Sequence, residues 1–146
     1  MDSLRKEYPD NEYLTWNYDN DNFEVLRKSD VMISDFSGVI FDYAFIFNKP
    51  VIYADTSFDP GPYDASWLDR KLWIFETLPK VGVELKEEDL TDLKSIIDAT
   101  VESDELKKSR IEAKDSGWQN IGNCATTTVD YMIKKYEELN TKEDIA

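Results

Sequence analysis

The sequence has 146 residues, 41% of them hydrophobic and 13% aromatic. That is enough for one folded domain, burying roughly two-thirds of the surface its unfolded chain would expose, and it excludes a disordered tail. Seventeen basic against thirty-one acidic residues give a formal net charge of -14, which repels nucleic-acid phosphates and argues against DNA or RNA as a partner.

Histidine is absent and cysteine occurs once, at Cys124. The commonest general base, multi-cysteine metal sites and internal disulfides are therefore excluded, and neither a metal nor a cofactor is expected. The cysteine usage fits a reducing cytoplasm. No apolar run reaches the roughly 18 residues of a membrane span, and "MDSLRKEYPD" lacks the apolar stretch of a signal peptide, so the chain reads as soluble and cytoplasmic.

In chain order, "DSLRKEYP" predicts a polar helix and "EYLTW" a short strand. "NDNFEVLRKSD" predicts a short helix, with Asn and Asp caps and with Phe23 and Leu26 three apart on one face. "VMISD" and "VIYAD" are β-branched, mostly apolar runs that read as buried parallel strands. Between them "GVIFDYAFIFNKP" is too apolar for an exposed helix and must be packed nearly all round. Strand, helix and strand within about 25 residues make a right-handed βαβ crossover.

"DTSFDPGPYDASWLDRK", with Pro60, Gly61 and Pro62, predicts a long loop. "LWIFETL" and "GVEL" read as short strands or extended pieces. From Glu87 the pattern is helical, with Leu90, Leu93, Ile96 and Ile97 on one face, then Ser103 as an N-cap ahead of Asp104 and Glu105. A last helix over 123–139 carries Val129, Met132, Ile133 and Tyr136 on one face. The expected fold is α/β: a Rossmann-like parallel sheet flanked by helices, one domain over 1–146.

The polar kink Ser34-Asp35-Phe36-Ser37-Gly38 sits where an open parallel sheet binds ligands, beyond the carboxyl end of a strand and at the start of a helix. Ser37 would cap that helix, and Gly38 would let a ligand approach the backbone. The free N–H groups and partial positive charge of a helix N-terminus attract phosphate. A plain N-cap turn is the alternative. Asp42, among apolar neighbours, is expected to be buried and hydrogen-bonded to the kink or a nearby loop, because an unpaired buried carboxylate costs several kcal/mol. The loop after "VIYAD" opens on the same edge, which makes Asp55, Tyr63, Asp64, Arg70 and Lys71 candidate contacts; Arg70 and Lys71 suit phosphate. A receiver-like interaction module is a competing reading, since "VMISD" resembles a strand that ends in an acceptor aspartate.

Taken together, "SDVMISDFSGVIFDYAFIFNKPVIYA", "LWIFETLPKVGVELKEEDL" and "GNCATTTVDYMI" resemble the C-terminal part of the CDP-glycerol glycerophosphotransferase family, the teichoic-acid polymerases and primases, over about residues 20 to 135. The resemblance implies the C-terminal half of a GT-B transferase that holds a CDP-alcohol donor, with a cell-wall polymer as acceptor. It places Ser34, Asp35, Phe36, Ser37 and Gly38 at the donor pyrophosphate and Asp42 at the aspartate of the family's FDY motif. Phe36 and Gly38 stand where the family has tyrosine and serine, so two hydroxyls are missing. "TWNYDND", read as the end of another strand, is a further candidate to face the cytidine of such a donor, with Trp16 or Tyr18 stacking on it; packing of these aromatics in the core is the alternative. The family's histidines lie upstream of the segment seen here. The expectation is a distal domain of a longer transferase, inactive in transfer alone and reaching the membrane surface only through the rest of that protein. A nucleotide-sugar glycosyltransferase domain would share the fold and differ in the donor.

Overall fold

A computed structural model describes residues 2–35, 37–54, 67 and 69–143, with side chains described to residue 140. Helices α1 (Asp2–Glu7) and α2 (Phe23–Lys28) precede strand β1 (Met32–Ser34), helix α3 (Val39–Ile46) and strand β2 (Val51–Ala54). Helix α4 (Trp73–Val81) leads directly into strand β3 (Gly82–Leu85), followed by a 3-10 turn (Glu87–Asp92). Helices α5 (Leu93–Glu102), α6 (Asp104–Gly117) and α7 (Cys124–Glu143) complete the order.

The three strands form one parallel sheet in the order β1-β2-β3, with Met32 opposite Val51 and Val51 opposite Gly82. This is the expected α/β crossover architecture. Central β2 is closed on both faces: Val51 and Tyr53 join the main core, and Ile52, on the opposite side by the period of two, is equally buried. Helix α5 packs on β2, and α6 packs on both α3 and α4.

The eight residues of α3 would be marginal as an isolated helix, so burial rather than propensity holds it. Ile40, Tyr43, Ala44 and Phe45 are fully buried, each of the large ones adding about 1.5–3 kcal/mol. Phe45 meets Phe41, Trp73 and Trp118 at ring separations of 5.7, 6.5 and 5.7 Å. The expectation of packing all round does not hold: Asp42 and Ile46 face solvent. One side of α3 is left uncovered by every neighbouring element described.

The carbonyl ends of α2 and α3 are met by cations. Lys49 Nζ donates to the carbonyls of Arg27 (2.6 Å) and Ser29 after α2. Arg110, buried on α6, donates at 3.4 Å to the carbonyl of Asn48, which takes a left-handed φ of 52° just past α3. Cations at helix C-termini and asparagine at such a position both follow from helix-end physics. Burial pushes the Arg110 pKa down, and burial pushes the phenol of Tyr43 up.

Two sequence expectations change here. "LWIFETL" is helix, because Ile74, Thr77, Leu78 and Val81 repeat at helical spacing and turn inward. "EYLTW" forms no strand; Asn11 Oδ1 accepts from the N–H groups of Tyr13 and Leu14 and curls the segment into a turn. The Ser103 cap holds: its hydroxyl accepts the Leu106 N–H at 3.2 Å. Ser103→Ala should therefore lower stability by about 1 kcal/mol, read as a fall in the urea midpoint with an unchanged slope.

Candidate functional site

At the carboxyl edge of β1 the kink folds on its own carboxylate. Asp35 Oδ1 accepts the Ser37 N–H at 2.8 Å and the Ser34 hydroxyl at 3.4 Å. Helix α3 begins with Gly38, not the expected Ser37, as its N-cap residue, and among the described residues no side chain caps it. The Ser37 and Gly38 carbonyls accept from Ile40 and Phe41 N–H. The N–H groups of Gly38 and Val39 find no acceptor among the described residues. Asp35, Ser37 and Gly38 are exposed. A Cβ on Gly38 would meet nothing within 4 Å, so the position is open to a ligand and demanded by no neighbour. Phe36 lies outside the described residues.

The second part of the edge comes from α4. Because α4 runs back into β3, which is parallel to β2, its N-terminus lies at the carboxyl end of the sheet, as does that of α3. The rings of Phe41 and Trp73 join the two starts, with centroids 4.9 Å apart. Arg70 and Lys71 immediately precede α4, exposed and without an ion pair among the described residues. With Leu72, Trp73 and Glu76 they line a shallow depression of about 420 Å³. Two cations ahead of a helix N-terminus oppose its partial positive charge, an arrangement that a bound anion would relieve.

Other expected residues fare differently. Asp42 is exposed, which corrects the expected burial, and it accepts no hydrogen bond among the described residues; the loop after β2, named as a possible bracing partner, lies outside them. It sits on the uncovered side of α3. Trp16 and Tyr18 follow no strand; Arg5 stacks against both rings, at 5.7 and 4.6 Å, and Trp16 Nε1 donates to the Tyr8 carbonyl. The aromatic faces offered to a base thus hold a guanidinium. Asp55, Tyr63 and Asp64 lie outside the described residues. No group of three or more acidic or cysteine side chains is placed to hold a metal among the described residues.

The sequence reading missed the Asp35 lock and the Phe41–Trp73 bridge. The first had a signal in Asp-x-Ser, where a short carboxylate reaches the backbone two residues on. The second had none until α4 was known to be a helix.

A family model described as CDP-Glycerol:Poly(glycerophosphate) glycerophosphotransferase matches residues 2–114. The match covers the N-terminal residues as well as the crossover, and it stops before "GNCATTTVDYMI". Among curated proteins and among solved structures no match is found.

Proposed function

The chain belongs to the CDP-glycerol:poly(glycerophosphate) glycerophosphotransferase family, and from that premise we propose that its carboxyl edge binds the diphosphate of a CDP-glycerol donor. The observation that supports this reading is the Phe41–Trp73 contact between the starts of α3 and α4, where among the described residues the amides of Gly38 and Val39 have no acceptor and Arg70 and Lys71 have no ion pair. Backbone N–H groups at a helix start and an arginine-lysine pair are complementary to phosphate oxygens.

The reaction is transfer of glycerol phosphate to a teichoic-acid-type polymer. A hydroxyl oxygen of the polymer attacks the β-phosphorus of CDP-glycerol, the bond from that phosphorus to the bridging oxygen breaks, and CMP leaves with the electron pair. The attacking hydroxyl loses its proton to a base that is not assigned to any residue here. The amides of Gly38 and Val39 and the Arg70–Lys71 pair would offset the charge that grows on CMP, an electrostatic role. The chain acts as one Rossmann-like donor domain of a GT-B transferase working at the cytoplasmic side of the membrane; among the described residues no helix is long and apolar enough to cross it.

Asp35 shapes this site in an unexpected way. Its carboxylate already engages Ser37 N–H, so a phosphate must share the kink with a fixed negative charge. Asp35→Asn keeps an oxygen acceptor and removes the charge. It should tighten pyrophosphate binding about 3- to 10-fold, given roughly 1 kcal/mol between unit charges 4 Å apart in water. Calorimetric titration of CDP-glycerol, CDP, CMP and UDP-glucose into the protein tests the donor assignment: CDP-glycerol and CDP should bind more tightly than CMP and UDP-glucose. Preference for UDP-glucose would move the chain to sugar transfer, and no binding at millimolar concentration would remove the donor site.

A further inference from the structure

The last helix is the one long element of the described chain with nothing packed on it. Every residue of α7 from Cys124 to Asn140 is exposed except Glu138, which is half-buried. Val129, Met132, Ile133, Tyr136 and Leu139 nevertheless form one continuous apolar stripe, at i, i+3, i+4, i+7 and i+10, and are 53–71% exposed. An amphipathic helix of this length holds its shape in water chiefly by covering such a stripe. The helix lies beyond the part of the chain that matches the family.

The charges beside the stripe indicate what covers it. At 100° per residue, Asp130 and Glu137 fall on one side and Lys135, which pairs with Glu138 of its own helix at 2.6 Å and must exchange that partner on association, falls on the other. When two such helices pair in parallel about a two-fold axis, the acidic side of each meets the lysine side of its mate. Antiparallel pairing instead sets acid against acid and Lys135 against Lys135. The acidic side also disfavours an anionic membrane surface, which attracts lysine-flanked amphipathic helices.

We infer that α7 is a self-association element, through which two copies of this chain pair by parallel packing of the Val129–Met132–Ile133–Tyr136–Leu139 stripe. The contact spans eleven residues, about one and a half heptads, short of the three to four heptads that sustain a stable coiled coil. The dimer is therefore weak, with a Kd on the order of 100 µM. Parallel pairing also brings the acidic bodies to the same end, so association needs salt near 0.15 M, where the Debye length is about 8 Å.

The chain carries its own probe, because Cys124 is the single cysteine and lies exposed at the start of α7. Sedimentation equilibrium from about 10 µM to 1 mM should show a monomer–dimer equilibrium around that Kd. Spin labels on Cys124 should lie within roughly 20 Å of each other, given interaxial distances of 8–10 Å and two label arms. Ile133→Asp should leave a monomer with an unchanged thermal midpoint of the core, and Lys135→Glu, which leaves the stripe intact, should weaken the dimer about 3- to 10-fold. A monomer at 1 mM, a dimer that survives Ile133→Asp, or labels separated by the roughly 30 Å of antiparallel packing would each overturn the inference. So would binding of α7 to phosphatidylcholine vesicles without dimer formation.

Discussion

Gly82→Ala is expected to cost more than about 3 kcal/mol and to abolish cooperative unfolding at 37 °C if the native margin is small. The reason is a single close approach. A Cβ at residue 82 would lie 2.0 Å from the Val51 carbonyl oxygen and 2.7 Å from its carbon, distances that no rotamer change relieves because both atoms are backbone. Gly82 has an extended backbone, with φ at -167°, so conformational freedom is irrelevant and size alone decides. The contact lies on the register pair that joins β2 to β3, where α4 passes directly into the strand. Moving Val51 aside would open the central strand, whose three successive residues are buried. Urea unfolding followed by circular dichroism measures the loss; a change under about 1 kcal/mol would mean that β2 and β3 pair otherwise.

Reversing both charges beside α4, as Arg70→Glu with Lys71→Glu, is expected to weaken CDP binding about 30- to 100-fold at 0.15 M salt. Each reversal replaces an attraction of about 1 kcal/mol at 4 Å in water with a repulsion of similar size, and screening removes part of that difference. The variant should fold normally, because both side chains are exposed and have no ion pair among the described residues to lose. The ratio should shrink as salt rises, since the effect is one of surface charge. An affinity within 3-fold of the parent would take Arg70 and Lys71 out of the phosphate site and leave the kink alone.

The crossover was legible in the sequence because its signals are local. "VMISD" and "VIYAD" are β-branched runs, and burial on both faces of a parallel sheet requires that composition. Ser103 was legible for the same reason: capping depends on a side chain and an amide three residues on. Helix α4 was not, since Trp73, Ile74 and Phe75 favour strands by propensity and Pro79 interrupts the helical pattern, while the tertiary contacts of Thr77, Leu78 and Val81 decided the outcome. Asp42 failed for a geometric reason. Its neighbours are apolar in sequence, but a helix turns successive residues by 100°, and the side it occupies with Ile46 meets no other element described. At the site, the position of the kink and of the Arg70–Lys71 pair followed from topology. The Ser37 N–H bond to Asp35 and the Phe41–Trp73 bridge depend on side-chain geometry that composition does not specify.

The most direct measurement of the donor-site claim is an amide NMR titration of the protein with CDP, with CMP as the single-phosphate control. The Gly38 and Val39 N–H resonances should shift and saturate with CDP, Ser37 should shift as its bond to Asp35 is strained, and CMP should move all three less. If these three resonances stay fixed while CDP at millimolar concentration binds elsewhere or not at all, the start of α3 is not where this chain holds a diphosphate.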